Sequence, residues 1–262
     1  MPPLPGAPTA PDGSLHPDRS LPTFERDVRR MFGSIADRYD AFNHAATFGL
    51  DLLWRPRALW ALRRFHSSPP TTALDFGCGT GGFARQVATS FPGARVTALD
   101  FSATMVHRAR TLSIRGSSGP RLSFAVGNVL RLPFADGAFD LVTNGFVARN
   151  LRDLAAAFRE VRRVLRPDGT FLTLEVSEPA APAVRRLFHA HFDRAVPLLG
   201  RAFGREGPYS YLPESLRSFP PVDEVVAMLR AGGFPRTVAI PMSQGVVTVY
   251  LASASSAADA RR

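Results

Sequence analysis

The sequence predicts an α/β fold: a mostly parallel sheet with helices on both faces and an antiparallel strand pair near its C-terminal end. Short apolar runs, each a candidate buried strand, alternate with stretches of helical periodicity, and this alternation is typical of a parallel sheet. A glycine-rich turn follows the first run, and an aspartate ends the second. The strand candidates are residues 73–74, 96–99, 122–126, 141–143 and 171–174.

The helices are predicted from apolar residues that recur at spacings of three and four. They cover about 24–35, 52–65, 151–165 and 221–231. Asn150 is a candidate N-cap for the third of these helices, and Pro167-Asp168-Gly169 is its stop. The last helix ends at Gly232-Gly233, and residues 238–241 and 245–252 then form the antiparallel strand pair.

Length and composition indicate one globular domain with a flexible segment at either end. Residues 1–22 are rich in proline, and residues 253–262 are rich in alanine and serine. The folded domain is predicted at 23–252, with an N-terminal helical lid at about 23–66. A single cysteine, Cys78, excludes an internal disulfide and favours a cytoplasmic location. No apolar run reaches the roughly 18 residues of a membrane span.

The formal net charge of +10 arises from 32 basic and 22 acidic side chains, and every basic residue is arginine. A solvated surface, attraction to anionic lipid and attraction to nucleic acid all fit this charge. The arginines are dispersed, and no helix-turn-helix, zinc-finger or RNA-binding signature accompanies them, so we expect no nucleic-acid partner. Helix 52–65 mixes leucines and a tryptophan with arginines. That composition fits peripheral contact with an anionic membrane as well as a solvated face.

The loop Asp75-Phe76-Gly77-Cys78-Gly79-Thr80-Gly81 is the motif that carries chemistry. Its glycines let the backbone approach a ligand closely where a strand turns into a helix. The G-x-G-x-x-G spacing also occurs in dinucleotide-binding proteins, so the motif alone leaves the nucleotide open. A phosphate-binding P-loop is excluded, since no Gly-Lys-Ser/Thr follows.

Two aspartates at strand ends give this loop its context. Asp75, at the end of the first strand, can receive a ligand's amino group. Asp100 ends the second strand, where a carboxylate can hold both hydroxyl groups of a ribose. Initiation of a turn is the alternative role for Asp100.

Motifs further along the chain distinguish a dehydrogenase from a methyltransferase. The segments are Gly127-Asn128-Val129, Leu132-Pro133-Phe134, Asp136-Gly137-Ala138-Phe139-Asp140 and Val164-Leu165-Arg166-Pro167-Asp168-Gly169. This ordered series resembles the successive motifs of class I methyltransferases, which have a Rossmann-like fold and use S-adenosylmethionine. The resemblance implies that loop 77–81 faces the methionine part and that Asn128-Val129 flank the adenine. The implied cofactor contacts are Asp75, Gly77, Gly79, Thr80, Asp100, Phe101, Asn128 and Val129.

Four further segments resemble the ubiquinone/menaquinone biosynthesis C-methyltransferase family over about residues 25–252. They are Val28-Arg29-Arg30-Met31-Phe32-Gly33-Ser34-Ile35-Ala36-Asp37-Arg38-Tyr39-Asp40, Val147-Ala148-Arg149-Asn150-Leu151, Pro197-Leu198-Leu199-Gly200, and residues 209–220 with the pattern Tyr-x-Tyr-Leu-x-Glu-Ser-x-Arg-x-Phe-Pro. Asn43 and Leu53-Trp54-Arg55 agree with them. Gly82, Gly145, Gly207 and Tyr250 stand where many members of the family have other residues.

The resemblance implies C-methylation of the ring of an isoprenoid quinol, demethylmenaquinol to menaquinol. It places Tyr39, Arg149 and Asn150 in the quinol pocket. Because arginine stays charged in proteins, we assign Arg149 to stabilising a phenolate, with Tyr39 and Asn150 orienting the ring oxygens. This chemistry requires no metal, and we expect none.

Purely structural roles remain open for the same residues. Arg149 would otherwise belong to a surface ion pair, and Asn150 would act only as a helix cap. Phe48, Trp54 and Phe146 line an apolar pocket or pack in the core. Another small aromatic or polyketide substrate fits the same fold, and the sequence does not specify an oligomeric state.

Overall fold

The computed structural model describes residues 23–65, 68–114, 121–203 and 206–255, excluding the side chains at 114 and 206–210. Within these ranges seven strands form one sheet. They are β1 Thr72–Phe76, β2 Arg95–Asp100, β3 Leu122–Val126, β4 Phe139–Gly145, β5 Leu165–Val176, β6 Arg236–Met242 and β7 Val247–Ser253. The predicted segment 1–22 lies outside the described residues, as do residues 256–262 of the segment predicted at 253–262. Ser253, the first residue of that second segment, belongs to the last strand.

The strands lie in the order β3-β2-β1-β4-β5-β7-β6. Strands β1 to β5 pair in parallel, whereas β7 is antiparallel to both β5 and β6. The predicted fold class, including the antiparallel pair near the C-terminal end, is therefore confirmed. Strand order reverses at β1, which lies between β2 and β4. In open sheets of this kind, ligands bind at the carboxyl ends of the strands beside such a reversal.

Ten helices surround the sheet in the described part of the chain. They are α1 Phe24–Ile35, α2 Tyr39–Ala46, α3 Asp51–Phe65, α4 Gly82–Ser90, α5 Ala103–Ile114, α6 Leu154–Val164, α7 Pro182–Ala190, α8 Val196–Ala202, α9 Glu206–Arg217 and α10 Val222–Ala231. A π-helical turn, His191–Ala195, joins α7 to α8. Between 23 and 255, no described helix is both long and apolar enough to cross a bilayer.

Apolar side chains on both faces of the sheet explain why its strands read as continuous hydrophobic runs. On one face Leu59 of α3, Val87 of α4 and Leu172 of β5 belong to one buried apolar cluster. On the other face Phe158 of α6 packs with Phe171 of β5. A third cluster, which we call the cap, joins α1, α2 and α8 through Ile35, Phe42, Ala46 and Val196.

One predicted helix start is wrong. The third predicted helix begins at Leu154, and its N-cap is Asp153, whose Oδ1 accepts a hydrogen bond from the Ala156 amide at 2.8 Å. Asn150 instead ends a 3₁₀ turn and donates its amide to the Phe146 carbonyl at 3.3 Å. Both residue types cap helices well. Leu151 has an extended backbone and packs against the core, so the helix begins only after it.

Candidate active site

The glycine loop joins β1 to α4 in a conformation that only glycine adopts without strain. Gly77 and Gly79 have φ values of +60° and +53°. A Cβ atom built on Gly77 would lie 2.5 Å from Cγ2 of Val147, which is closer than real carbon contacts. The loop therefore packs directly against the segment that follows β4, and it needs glycine for both reasons.

Asp100 at the end of β2 organises this loop from the neighbouring strand. Its Oδ2 accepts a hydrogen bond from the Gly79 amide at 2.9 Å, and its Oδ1 accepts one from the Ser102 amide at 2.9 Å. Burial raises the pKa of Asp100, and these two amide hydrogen bonds partly oppose the rise. The hydrogen bond from the Ser102 amide forms a turn, which is the alternative role that the sequence suggested for Asp100. Asp100 also lines a cleft, so its carboxylate can hold the loop in place and still contact a ligand in that cleft.

That cleft lies at the carboxyl ends of β1, β2 and β4. We call it the cofactor cleft. Six of the predicted cofactor contacts line it: Gly77, Gly79, Asp100, Phe101, Asn128 and Val129. Phe146 also lines it, in a left-handed conformation with φ +64° that non-glycine residues rarely adopt. Strain of this kind is kept where the surrounding structure or the function requires it.

Asp75 and Thr80, the other two predicted contacts, lie behind the wall of the cleft. Asp75 is buried, and its Oδ1 accepts a hydrogen bond from Thr143 at 2.7 Å. Burial raises its pKa to about 7, against opposing effects from Thr143, the positive charge of Arg55 and the backbone amide of Ala84. Its Oδ2 makes no hydrogen bond to any described residue. Thr80 donates to Oδ1 of Asp40 on α2 at 2.9 Å, which ties the loop to the cap.

A second, smaller cavity lies under the cap. We call it the acceptor cavity. Its wall combines apolar and polar side chains: Met31, Phe32, Ile35, Tyr39, Phe42, Asn43, Arg149, Asn150, Tyr211, Leu212 and Ser215. Phe32, Tyr39 and Asn150 line both this cavity and the cofactor cleft. The three predicted catalytic residues therefore come together, with Tyr39 and Asn150 at the boundary and Arg149 further in.

Arg149 is buried, and its guanidinium pairs with Glu175 near the end of β5. Glu175 also accepts a hydrogen bond from the Arg149 amide at 3.1 Å, so one carboxylate holds both the backbone and the side chain. A surface ion pair is thus the wrong description of Arg149. Glu175 was not predicted from the sequence. Its signal was a charged residue inside an apolar strand, since buried charges are nearly always paired.

Tyr39 is the other ionisable group between the two cavities. Burial raises the pKa of its phenol, and the nearby positive charge of Arg149 opposes this rise. The phenol therefore stays protonated at neutral pH, and its hydroxyl can donate a hydrogen bond to an oxygen of a bound ring.

The three aromatic residues expected around the pocket, Phe48, Trp54 and Phe146, lie in different environments in the structure. Trp54 is buried, packs against Phe146 with ring centroids 5.8 Å apart and donates Nε1 to Ser243 at 2.8 Å. Phe146 lines the cofactor cleft. Phe48 is 80 % exposed, so both interpretations offered for it, pocket wall and core, are wrong.

The buried groups at the cleft fit an amino-acid nucleoside. The glycine loop leaves its backbone open to a close approach, and Asp75 Oδ2 is a buried acceptor in need of a donor such as an ammonium group. Asp100, Phe101 and Asn128 lie where the resemblance places ribose and adenine. These features agree with S-adenosylmethionine as the group that the cleft holds.

The fold and the cleft define a Rossmann-like methyltransferase. A SAM-dependent methyltransferase from Thermotoga maritima superposes with a TM-score of 0.63, covering 86 % of this chain and 99 % of that chain at 16 % identity. The model of the ubiE/COQ5 methyltransferase family matches residues 22–254, so the chain belongs to that family. The chain is thus a methyltransferase, and S-adenosylmethionine is its cofactor.

Relatives agree over most of the chain. A demethylmenaquinone methyltransferase of Roseiflexus castenholzii is 43 % identical over 79 % of this chain and 84 % of its own length. A ubiquinone/menaquinone biosynthesis C-methyltransferase of Geotalea daltonii is 34 % identical over 85 % of this chain and 94 % of its own length. The similarity includes the cap and not only the cofactor-binding core, since α1 to α3 and α7 to α9 fall within the family match.

Proposed function

We propose that this protein transfers a methyl group from S-adenosylmethionine to a ring carbon of a demethylated isoprenoid quinol, most directly demethylmenaquinol to menaquinol. The observation that carries the proposal is the meeting of the two cavities at Tyr39 and Asn150, with Arg149 in the wall of the inner one. Tyr39 and Asn150 can therefore contact the cofactor on one side and a flat ring in the acceptor cavity on the other. Relatives named for this reaction on quinones support the substrate class.

When bound, S-adenosylmethionine supplies a methyl group already activated on a sulfonium, so the protein chiefly has to orient the acceptor and exclude water. The acceptor carbon lies ortho to a phenolic oxygen of the quinol. It forms the new carbon–carbon bond as the methyl–sulfur bond breaks, and it then loses its proton to a water molecule, which restores the aromatic ring. The apolar cap covers this reaction centre with Phe32 and Phe42.

Arg149 supplies the charge that this chemistry needs. A positive guanidinium in the wall of the acceptor cavity favours the phenolate over the phenol, and a phenolate has more electron density at its ortho carbon. Glu175 fixes the guanidinium in place before the substrate arrives, so little reorganisation is needed during the reaction. Tyr39, which stays protonated, donates to one ring oxygen, and Asn150 orients the other side of the ring.

Transfer of a labelled methyl group tests the proposal. The protein is incubated with S-adenosylmethionine and, in separate reactions, with demethylmenaquinol and demethylubiquinol analogues, and mass spectrometry locates the label. We expect a new carbon-bound methyl on the naphthoquinol ring. Methylation only at oxygen, or only of an unrelated small aromatic acceptor in a wider panel, would overturn the assignment.

We further propose that the protein binds the surface of an anionic membrane through residues 48–60. This segment exposes large apolar side chains, namely Phe48, Leu50, Leu52, Leu53 and Trp60. The guanidinium of Arg64 lies 3.9 Å from the Trp60 ring centroid, which places a cation beside the exposed aromatic. Apolar side chains rimmed by arginine suit the boundary between headgroups and acyl chains, where an isoprenoid quinol resides.

Co-sedimentation with vesicles of neutral phosphatidylcholine, with and without phosphatidylglycerol, tests this surface. We expect binding only to the anionic vesicles, and loss of binding in the double variant Leu53→Ser, Trp60→Ser. Val126→Ser removes a comparably exposed apolar side chain from β3 and should leave binding intact. Equal binding by all three proteins would refute the proposed surface.

A further inference from the structure

Arg55 of α3 reaches across the end of β4 and the start of α4. A Cβ atom built on Gly82 would lie 3.3 Å from Nη1 of Arg55, and one built on Gly145 would lie 3.9 Å from its Nε. The Nε atom is buried, and it has no hydrogen-bond partner among the described residues. Because a guanidinium stays charged and a buried donor without a partner costs free energy, this position calls for an acceptor that is not part of the chain.

A second guanidinium lies close to the same place. Nη2 of Arg85 is 4.0 Å from the Cβ position of Gly82, and Nη1 of Arg85 donates to the Thr80 carbonyl at 2.8 Å. These two like charges repel each other, and the carboxylate of Asp40 offsets the charge of Arg85. An anion held beside Arg55 would balance the second charge.

The cofactor cleft lies directly beside Arg55. Gly145, whose Cβ position is near Nε, lines the cleft together with Gly77 and Gly79. On the strand below, Asp75 has a buried carboxylate oxygen that also lacks a partner among the described residues. This end of the cleft thus offers one cation and one anion, which are the complements of the carboxylate and the ammonium of an amino acid.

We propose that Arg55 binds the carboxylate of the methionine part of S-adenosylmethionine, and that glycine at positions 82 and 145 keeps the guanidinium available for it. An acidic or hydroxyl side chain at either position would reach the guanidinium and compete for it. This assignment depends on S-adenosylmethionine being the cofactor. Charge-assisted hydrogen bonds to a planar guanidinium then contribute to cofactor affinity and fix the orientation of the methionine chain.

Calorimetry with two ligands tests the assignment without measuring activity. S-adenosylhomocysteine contains the amino-acid part, whereas methylthioadenosine lacks it and keeps the adenosine and the sulfur. We expect Arg55→Met to weaken binding of S-adenosylhomocysteine by roughly 10- to 100-fold and to leave methylthioadenosine unchanged. Arg57→Met, an exposed arginine on the same helix, is the matched control and should alter neither affinity.

Gly82→Asp is the second variant, and it keeps Arg55 in place. An aspartate there should pair with the guanidinium and weaken S-adenosylhomocysteine selectively. Equal loss of both ligands in Arg55→Met, or no loss of either in both variants, would overturn the role of Arg55. If the wild-type protein binds neither ligand, the cofactor assignment itself fails, and that outcome is distinct from the failure of Arg55.

Discussion

Asp140 at the amino edge of the sheet and Asp75 at its carboxyl edge differ in how many hydrogen bonds they accept. At the amino edge, Asp140 accepts hydrogen bonds from the amides and hydroxyls of Thr71 and Thr72 and from the guanidinium of Arg166, at 2.6–3.0 Å. At the carboxyl edge, Asp75 accepts one from Thr143, and its Oδ2 has no partner in the described part of the chain.

The pKa values of the two aspartates follow from this difference. Desolvation raises the pKa of Asp140, but the hydrogen bonds from Thr71 and Thr72 outweigh it, and the net pKa lies below the ordinary value. Burial raises the pKa of Asp75 to about 7, because Thr143, the charge of Arg55 and the Ala84 amide oppose it only in part. The amino edge thus satisfies its polar groups within the chain and supports stability. At the carboxyl edge the amides of Gly79 and Ser102 satisfy Asp100, whereas Asp75 keeps one oxygen that a ligand can satisfy.

The largest expected effect is on turnover at the carboxyl edge. Arg149→Met should lower the rate of methyl transfer by roughly 10²- to 10³-fold, because it removes a charge aimed at the developing phenolate. Affinity for S-adenosylhomocysteine should barely change, since Arg149 lines the acceptor cavity. Single-turnover transfer to the accepted quinol analogue and calorimetry measure the two quantities.

A control for Arg149→Met is needed because the variant leaves the carboxylate of Glu175 buried without its partner, which is destabilising. The double variant Arg149→Met, Glu175→Gln removes that charge. It should recover thermal stability without recovering turnover. Recovery of both would show that Arg149 is a structural residue.

Asp140→Ala should produce the converse result at the amino edge. Several hydrogen bonds to one carboxylate are lost, so we expect the free energy of unfolding to fall by about 2–4 kcal/mol, with cofactor affinity unchanged. Because the folded pKa is lowered, the contribution of this carboxylate is present above its unfolded pKa of about 3.9. It is lost as the pH falls through the folded pKa. Urea unfolding of both proteins between pH 3 and 7 should therefore show curves that converge in acid.

Asp75→Asn tests the opposite sign. The raised pKa means that the folded protein keeps a proton that the unfolded chain has lost, so the contribution of Asp75 to stability falls as the pH rises from about 3.9 to about 7. Relative to wild type, Asp75→Asn should gain stability over this window. Loss of relative stability there would mean that Asp75 is charged and satisfied in the folded state.

Ligand binding provides a second readout for Asp75. If its carboxylate receives the ammonium group of the cofactor, wild-type affinity for S-adenosylhomocysteine should rise severalfold as the pH increases through about 7. The same affinity in Asp75→Asn should be nearly independent of pH between 6 and 8. Parallel pH profiles for the two proteins would remove Asp75 from the cofactor site.

The smallest expected effect concerns the predicted lid. Glu25 of α1 accepts a hydrogen bond from Nδ2 of Asn128 at 2.9 Å, across the rim of the cofactor cleft. Glu25→Ala should speed dissociation of S-adenosylhomocysteine about 2- to 5-fold, the range expected for one partly exposed hydrogen bond. Arg30→Ala, an exposed site on the same helix, should leave the rate unchanged in stopped-flow measurements. Equal rates for all three proteins would argue against a closing role for α1.

Local signals in the chain were sufficient for much of the fold. The apolar run at 122–126 became β3 with the same bounds, although β3 is the edge strand of the sheet and its side chains are only partly buried or exposed. The glycine loop was recognisable because backbone freedom is a property of the residue itself. The start of α6 was not recognisable, since Asn150 and Asp153 are both good caps and the packing of Leu151 decided between them.

Long-range contacts at the site escaped the same approach. The resemblance to a family named Tyr39 and Arg149 together, although they are far apart in the chain. It did not reveal that Glu175 holds Arg149 or that Thr80 is bonded to Asp40 of α2. Each of these pairs joins separate elements of structure. Pairing of this kind depends on how elements distant in the chain pack against one another, which no local pattern encodes.

The sequence by itself determined the seven strands, four of the ten described helices, the cofactor loop and the residue types available for chemistry, because periodicity, glycine content and charge act over a few neighbouring residues. Only the tertiary structure decided which polar groups are satisfied. Asp75 and Asp140 are the same residue type on adjacent strands. Asp75 retains a buried oxygen without a partner among the described residues, whereas both oxygens of Asp140 accept hydrogen bonds. The difference arises because a hydrogen bond requires a donor within about 3 Å, and folding alone brings such donors from distant parts of the chain.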